Sequence, residues 1–564
     1  MKKYIIAISM LIALPVAAQE TYENANIVTE ELNGTARYVG MGGAMDALGA
    51  DLSTIASNPA GIGLFRSSQI AATAGLTTQQ NAKDFHNASK THANFDQIGF
   101  VWSSQESRHS FLNVAFNYHK SRDFNYILSA TQDVLNQLAS QNALSYIKAI
   151  GDMDAEGWSS IAVNNKHDWY PSYNHLVKDY FYEGDFYYTS QLDNLYYNNF
   201  IMDVGGAGFN MANAYNMNRA SKGYIGEYDF ALSGNIHDRV YLGLSVGLQD
   251  VHYKGYSEYT ESLVGNGGSG GIVTVADERK ITGTGYNFRL GAIFRPIEDS
   301  AFRFGISFAS PTFYDLTTSN KTQMLKNTTE FQGYYVKKAK EEGKQYEPYM
   351  PYDSYDFRLY SPMKLGLSFG HTIGNYLAIG AVYEYADYGA TNPRIKEGDY
   401  YDGYLGTYYS ESSRDQVMKE HTEQTLKGVS TIKLGLEYKP TPEVAFRLGY
   451  NYVSPMYNSN GFKDVFLDSY GTNVASATDY TNWKATNRFT LGLGYTYGKF
   501  FADLAYQYCS QSGDFYPFMD AYVDDRMGYD DKGTPIVDQI DNYATKTEVD
   551  NNRHQFQLTL GYRF

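Results

Sequence analysis

The chain has 564 residues and a formal net charge of −16, from 62 acidic and 46 basic side chains. Such an acidic chain lacks the excess of Lys and Arg that binds phosphate backbones, which excludes nucleic acid as a partner. Its single cysteine, Cys509, excludes an intramolecular disulfide and a zinc–thiolate cluster.

The first eighteen residues predict a secretory signal peptide. Lys2 and Lys3 precede an apolar run over 4–14, and small residues follow up to Ala18. This is the order of the charged region, apolar region and cleavage site in such a peptide. The apolar run is too short to cross about 30 Å of hydrocarbon, which disfavours a membrane anchor. We expect cleavage after Ala18 and export to the periplasm.

Residues 19–66 precede the first predicted strand and are rich in glycine and alanine, as between Gly40 and Ala44. Small residues suit a compact segment that is packed into a confined space. A barrel of about fourteen strands has a lumen too wide for its own side chains to fill. The segment is therefore predicted to be a plug, or hatch, inside the lumen.

Fourteen β-strands are predicted from residues that alternate between two faces. In the last one, Phe556, Leu558, Leu560, Tyr562 and Phe564 share one face, and polar residues and a glycine share the other. The chain also has 54 Tyr and a negative mean hydropathy of −0.44, which fits strands that are apolar outside and polar inside. The predicted strands are 67–78, 95–103, 109–120, 224–236, 238–254, 282–296, 301–311, 355–371, 374–387, 428–440, 443–453, 485–498, 499–509 and 552–564.

The connections between these strands alternate between short turns and long loops. Short periplasmic turns, long outer loops and an even number of strands are typical of outer-membrane barrels. A soluble β-sandwich would leave the many exposed aromatic residues unexplained. The sequence therefore predicts an all-β transmembrane antiparallel barrel over 67–564, with the hatch inside its lumen and long extracellular loops. We expect it in the outer membrane of a Gram-negative cell.

The largest predicted loop covers 121–223. Its first part predicts a helix over 131–150, with Thr131 as N-cap and Gly151 as C-cap. An aromatic stretch follows, for which two interpretations stay open: a loop that closes the barrel mouth, or an apolar landing site for a ligand. The candidate ligand-capture residues are Trp158, Trp169, Tyr170, Phe181 and Phe186.

No pattern of residues predicts an enzyme. Ser245 and Ser368 each lie in a Gly-x-Ser-x-Gly match, but a nucleophile elbow needs a strand, a sharp turn and a helix. Both matches lie in the middle of predicted strands, so both serines are predicted to face the lumen. The 11 histidines are scattered along the chain, and no metal or other cofactor is expected.

The stretch from Asp51 to Gly61 contains Asn58-Pro59-Ala60-Gly61 and resembles the hatch of the FadL/TodX family of outer-membrane transporters. Blocks at 283–291, 304–311 and 361–366 resemble strands of the same family. The resemblance implies a fourteen-stranded barrel and assigns Asn58, Pro59, Ala60 and Gly61 to the hatch element. In that element Asn58 is expected to hydrogen-bond to the barrel wall.

The resemblance also implies passive uptake of long-chain fatty acids or other hydrophobic compounds, including aromatic hydrocarbons. The ligand would be captured from outside, pass when the hatch moves, and leave sideways into the bilayer. The expected partners are these small molecules, membrane lipid and lipopolysaccharide, and the barrel assembly machinery through the strand that ends at Phe564. The alternative is a surface binding or adhesion protein that uses enlarged Tyr-rich loops on a barrel anchor.

Overall fold

The structure is a computed structural model that describes residues 20–133, 135, 139–150, 190–198, 201, 209–264, 270–329, 353–404, 407–463, 476–529 and 535–564. The predicted signal peptide lies outside the described residues, as do Gly151 and the five candidate ligand-capture residues. Among the described helices, none is long and apolar enough to cross a membrane.

The described part of the chain contains five α-helices and 22 strands. The helices are α1 (Thr21–Val28), α2 (Ala36–Gly40), α3 (Gln141–Ile150), α4 (Gln191–Asn198) and α5 (Gln416–Thr425). The strands are β1 (Gln69–Gln79), β2 (Thr91–Ser107), β3 (Ser110–Asp123), β4 (Tyr126–Gln132), β5 (Met211–Ile236), β6 (Val240–Val264), β7 (Gly271–Phe294), β8 (Arg303–Ala309), β9 (Phe313–Asn327), β10 (Asp353–Tyr360), β11 (Lys364–Ile373), β12 (Leu377–Asp387), β13 (Asn392–Asp402), β14 (Thr407–Arg414), β15 (Gly428–Tyr438), β16 (Val444–Val453), β17 (Tyr480–Tyr497), β18 (Phe500–Tyr516), β19 (Ala521–Tyr529), β20 (Pro535–Asn542), β21 (Thr547–Asp550) and β22 (Arg553–Arg563).

Twenty of these strands form one closed antiparallel sheet, while β19 and β20 form a separate hairpin. The sheet closes because β1 pairs with β22, from Gln69 opposite Arg563 to Gln79 opposite Arg553. Breaks divide six barrel strands into two segments each, which leaves the predicted fourteen strands around the wall. The break between β14 and β15 contains α5, and the other five are short. The divided strands are β3/β4, β8/β9, β10/β11, β12/β13, β14/β15 and β21/β22.

The apolar phase of each barrel strand faces outward, as the alternation predicts. On β17, Phe489 and Leu491 are 55% and 54% exposed, whereas Thr490 between them is fully buried. The same outward apolar side chains occur around the whole wall and would contact lipid. The predicted outer-membrane barrel is confirmed.

The strands next to the largest loops are longer than predicted. β5, β6 and β7 reach beyond the wall on the side of the long loops, so much of the predicted loop 255–281 is a β-hairpin. The predicted helix over 131–150 starts ten residues too early, because 126–132 form β4 along the extended β5. Thr131 lies opposite Asn216 there and accepts a hydrogen bond from its side-chain amide, at 2.7 Å. It is therefore not an N-cap, and α3 begins at Gln141.

Residues 20–66, called the hatch below, lie inside the barrel. They contain α1, α2 and two 3₁₀ helices over Leu52–Ala56 and Pro59–Leu64. Glycines in the inward phase of the wall strands let the hatch backbone approach closely. A Cβ added at Gly449 would collide with the backbone of Gly42, and one at Gly380 with the carbonyl of Ala44.

Candidate functional site

A cavity of about 400 Å³ lies between the hatch and the barrel wall, on the side of the long loops. α1 forms one side of it, and strand segments remote from the short turns form the rest. Aromatic side chains surround α1, and the Tyr22 ring stacks on Tyr457 with centroids 5.1 Å apart. The Tyr, Phe and Trp residues that line the cavity are Tyr22, Tyr38, Phe124, Tyr126, Tyr253, Tyr256, Tyr385, Tyr388, Tyr457, Tyr480 and Trp483.

Four carboxylates of the hatch form ion pairs with the wall around this cavity. Glu20 pairs with Lys463 at 3.0 Å, Glu23 with Arg279 at 2.6 Å, and Glu30 with Lys364 at 2.6 Å. The fourth, Glu31, pairs with Arg553 and Arg122. The basic partners lie on several strands and, for Lys463, in the segment after β16, so together they hold the N-terminal part of the hatch in one position.

Glu31 lies between two arginines of the wall. It is 2.6 Å from Arg553 on β22 and 3.3 Å from Arg122 on β3. Burial by itself would raise the pKa of the Glu31 carboxyl, but Arg553 and Arg122 hold that pKa below its ordinary value. The carboxylate is therefore charged at neutral pH, and it fixes this part of the hatch between β22 and β3.

The barrel wall has a break between β2 and β3. Their backbone pairing runs from the short turn up to Gln97 opposite His119. Farther along, β2 stays paired with β1 and β3 stays paired with β5, but within the described residues 91–123 no backbone pairing joins β2 to β3 beyond His119. A register shift between Lys120 and Arg122 marks a bulge in β3 at the same level, as is common where a ladder ends.

The hatch occupies the inner side of this break. The backbone N–H of Glu31 donates to the carbonyl of Ser121 at 2.9 Å. The side-chain amide of Asn33 donates to the carbonyl of Lys120 at 3.0 Å and to Asp96 Oδ1 at 3.2 Å. The hatch thus supplies donors where a fully paired β2 would supply backbone N–H groups, and a buried carbonyl without a donor is costly.

Side chains bridge the same break. Lys120 Nζ donates to Asn94 Oδ1 at 2.6 Å, and His92 Nε2 lies 3.1 Å from Asp123 Oδ2. Contacts of this kind can separate and re-form without disrupting the backbone ladder on either side. The break is therefore the weakest part of the wall between β1 and β5.

The predicted hatch element lies away from the cavity and the break, and Asn58, Pro59, Ala60 and Gly61 do not line the cavity. Asn58 is the N-cap of the second 3₁₀ helix and accepts a hydrogen bond from the N–H of Ala60 at 3.1 Å. The expected hydrogen bond from Asn58 to the wall is wrong, because Oδ1 binds this local N–H and Nδ2 has no partner among the described residues. The local cap forms because the turn places Asn58 Oδ1 beside the N–H of Ala60 in the same segment.

The two serines of the Gly-x-Ser-x-Gly matches lie in the middle of β6 and β11, buried on the lumen side as predicted. The hydroxyl of Ser245 donates to the carbonyl of Ile55 in the hatch at 3.1 Å. Ser245 therefore contacts the hatch, and neither serine lies in a strand–turn–helix setting.

Two features of this region were missed by sequence reasoning. The first is that Glu20, Glu23, Glu30 and Glu31 face the wall. Basic residues at inward-facing positions of the predicted strands could have indicated acidic partners inside the barrel. The second is a buried group of His119, Glu227 and Asp229 at the level of the break. His119 is 108 positions before Glu227 in the sequence, so the spacing gives no signal that it joins the two carboxylates.

The structure is similar to solved structures of transport proteins. It matches a Pseudomonas aeruginosa FadL homologue at 12% identity, over 95% of this chain and 99% of the other, with a TM-score of 0.47. It also matches the Ralstonia pickettii toluene transporter TbuX at 11% identity over 94% and 99%, with a TM-score of 0.45, and the P. putida toluene transporter TodX at 12% over 95% and 99%, with a TM-score of 0.43. By motif and by fold, the chain resembles the FadL/TodX family. No family model and no curated protein matches it.

Proposed function

We propose that the protein takes up long-chain fatty acids or other hydrophobic compounds through the outer membrane by passive transport. The hatch gates the passage, and the ligand leaves sideways into the bilayer through the break between β2 and β3. The observation that carries this proposal is the hydrogen bonding of the hatch at Glu31 and Asn33 to the carbonyls of β3 where β3 no longer pairs with β2. Movement of the hatch would free both that edge and the path beside it.

The cavity supports such a path because it reaches the break from inside. His119, Ser121, Arg122, Asp123 and Phe124 line it on the β3 side. An apolar solute crosses a water-filled pore poorly, whereas a wall opening lets it pass directly into hydrocarbon. The short distance between an aromatic cavity and the lipid therefore suits a hydrophobic cargo.

The lining of the cavity favours a ligand with an apolar tail and a polar head. Aromatic rings surround α1, but ion pairs such as Glu23 with Arg279 and Glu30 with Lys364 stand among them. A fully apolar ligand would bury these charges without replacing their water, which costs free energy. Within the proposed range of cargo, this supports fatty acids over aromatic hydrocarbons.

The test is uptake with the hatch reversibly fixed to the wall. In a Cys509→Ser background, Asn33→Cys and Lys120→Cys would be joined by a short reducible cross-linker, since these residues are in contact. The matched control joins Ser104→Cys to Leu112→Cys, which are opposite each other on the continuous part of β2 and β3 and lie on the outward face of the wall. Uptake of a radiolabelled long-chain fatty acid and of toluene by cells is then measured before and after reduction.

We expect the first cross-link to abolish uptake, reduction to restore it, and the control cross-link to have no effect. Uptake that persists with the hatch fixed would contradict gating and release at this break. A correctly inserted protein that takes up neither compound would contradict the transport function itself.

A further inference from the structure

Three lumen-facing side chains form a compact group in the wall beside the break. His119 on β3 lies opposite Glu227 on β5, and Asp229 lies two residues farther along β5. His119 Nδ1 is 3.2 Å from Asp229 Oδ2, and His119 Nε2 is 3.7 Å from Glu227 Oε2. One ligand atom from each residue lies within 4.8 Å of the others. Both carboxylates are fully buried, and His119 is 8% exposed.

The inner polar atoms of this group are His119 Nδ1, Glu227 Oε2 and Asp229 Oδ2. They are buried and, apart from the contact between His119 and Asp229, have no hydrogen-bond partner among the described residues. The other oxygen of each carboxylate accepts hydrogen bonds from neighbouring side chains. Arg289 donates to Glu227 Oε1 at 2.6 Å and to Asp229 Oδ1 at 2.9 Å, and Asn287 donates to Glu227 Oε1 at 3.0 Å. The outer hydrogen bonds orient the carboxylates, as partners of metal ligands do, and leave the inner atoms facing each other.

The charges of the group favour a cation. Two carboxylates and one guanidinium leave one negative charge, while a buried ion needs a close partner of opposite sign. Gly247 on β6 keeps space for this arrangement, since a Cβ there would press on Glu227, Asn287 and Arg289. Two further charged residues of this region are already paired: Lys120, the next residue on β3, with Asp123, and Glu30 with Lys364.

We propose that His119, Glu227 and Asp229 bind one divalent first-row transition-metal ion of the zinc class. One imidazole nitrogen and two carboxylate oxygens suit these ions, whereas Ca²⁺ and Mg²⁺ prefer oxygen ligands alone. Bonds of about 2.0–2.2 Å require the three ligand atoms, which lie within 4.8 Å of one another, to move closer together. A single imidazole nitrogen of His119 would bind the ion. Binding needs a neutral imidazole, so any proton held by His119 leaves when the ion enters.

The position of the site defines what the ion would do. His119 is the last residue of β3 that pairs with β2, and it lines the cavity, from which an ion can enter. The bound ion would join β3 to β5 directly beside the break. It would therefore rigidify the edge of the break, independently of which compound the protein carries.

The test is metal binding by the purified, folded full-length barrel in detergent after treatment with a chelator. Zn²⁺ binding is measured by calorimetry, and Co²⁺ is added as a spectroscopic probe whose visible absorption reports its ligands. We expect one ion per chain, and a loss of affinity of more than about tenfold in His119→Gln, Glu227→Gln and Asp229→Asn. His252→Gln is the matched control, because His252 also lies beside an aspartate, Asp250, but with partial exposure.

Retention of the barrel fold in each variant is checked by circular dichroism, so that a lost site is distinguished from a lost fold. Absence of Zn²⁺ and Co²⁺ binding at up to millimolar concentration would overturn the proposal. The three side chains would then be held together by a shared proton and not by a metal ion. Binding that persists in all three variants, or that disappears in His252→Gln, would also overturn it by placing the ion elsewhere.

Discussion

Asn58 of the hatch lies directly against Gly291 of the barrel wall: a Cβ on Gly291 would collide with Asn58 Oδ1 and press on the N–H of Ala60. The glycine is thus required by the close approach of the hatch to β7, near the end of that strand at the short turn. This contact lies far from the break, yet it holds the same hatch that covers the break.

Gly291→Ala should therefore displace the hatch without unfolding the barrel. The added methyl group meets backbone and a buried cap, which can yield only by a shift of the 3₁₀ helix; overpacking of this kind costs about 1–3 kcal/mol. We expect faster protease cleavage of the hatch in the folded protein. Gly234→Ala is the control, because a Cβ there has nothing within 4 Å; equal cleavage of both variants would contradict the contact.

Asn58→Ala should partly rescue Gly291→Ala. Alone, the substitution removes the N-cap of the 3₁₀ helix and should destabilise the hatch by about 1 kcal/mol. In the double variant it also removes the atom nearest to the new methyl group. The loss of hatch stability in the double variant should therefore be smaller than the sum of the losses in the two single variants. Hatch stability is measured by hydrogen exchange in the native protein, the two single variants and the double variant, which gives the coupling energy between the two positions. Strict additivity would argue against direct contact.

Glu31→Gln should loosen the hatch at the break. It removes the shared partner of Arg553 and Arg122, and a broken buried pair typically costs about 3 kcal/mol. Because the N–H of residue 31 donates to Ser121, we expect its hydrogen exchange to accelerate by about 100-fold. Glu298→Gln removes the exposed partner of Arg239 and should change nothing; unchanged exchange in Glu31→Gln would show that the ion pairs do not hold this segment.

The hatch should be more stable in mildly acidic than in alkaline conditions because of Asp46. Burial raises the pKa of this carboxyl from 3.8 to about 6, although Lys433 opposes the rise. The folded state then holds the proton more tightly than the unfolded state, so the stabilisation is complete below pH 3.8 and is lost as pH rises through about 6. The full difference corresponds to about 3 kcal/mol.

Asp46→Asn replaces the protonated acid by a neutral group of the same shape and keeps the acceptor for the Ser57 hydroxyl, which lies 2.6 Å from Asp46 Oδ1. We expect the variant to exceed the native protein in hatch stability at pH 8 and to match it near pH 4. The stability of the hatch is measured by hydrogen exchange between pH 4 and pH 8. A variant that is less stable at pH 8 would show that Asp46 is held there as a carboxylate by Lys433.

The barrel itself could be predicted from the sequence, and the reason is local. Alternation such as Phe489, Leu491 and Leu493 against Thr490 fixes which face of a strand meets lipid, whatever its neighbours are. Turn lengths then fix the side on which each strand ends, so fourteen strands, their direction and closure beside Phe564 followed. The strand segments beyond the wall were not predicted. The seven residues of β4 are an example, because Thr131 follows its pairing with the extended β5 and not its own neighbours.

The site depended on contacts that no local pattern encodes. Whether β2 and β3 separate beyond His119 is decided by a bulge and by the hatch, which bonds the carbonyls of Lys120 and Ser121 from inside. Asn58 carried the family motif, yet its hydrogen bond turned out to be a local cap. His119, Glu227 and Asp229 come together only because β3 pairs with β5 across the large loop. Sequence thus determined the wall, through the period of a strand, while tertiary structure decided where the wall opens and which charges meet there, because those contacts join segments that are distant in the chain.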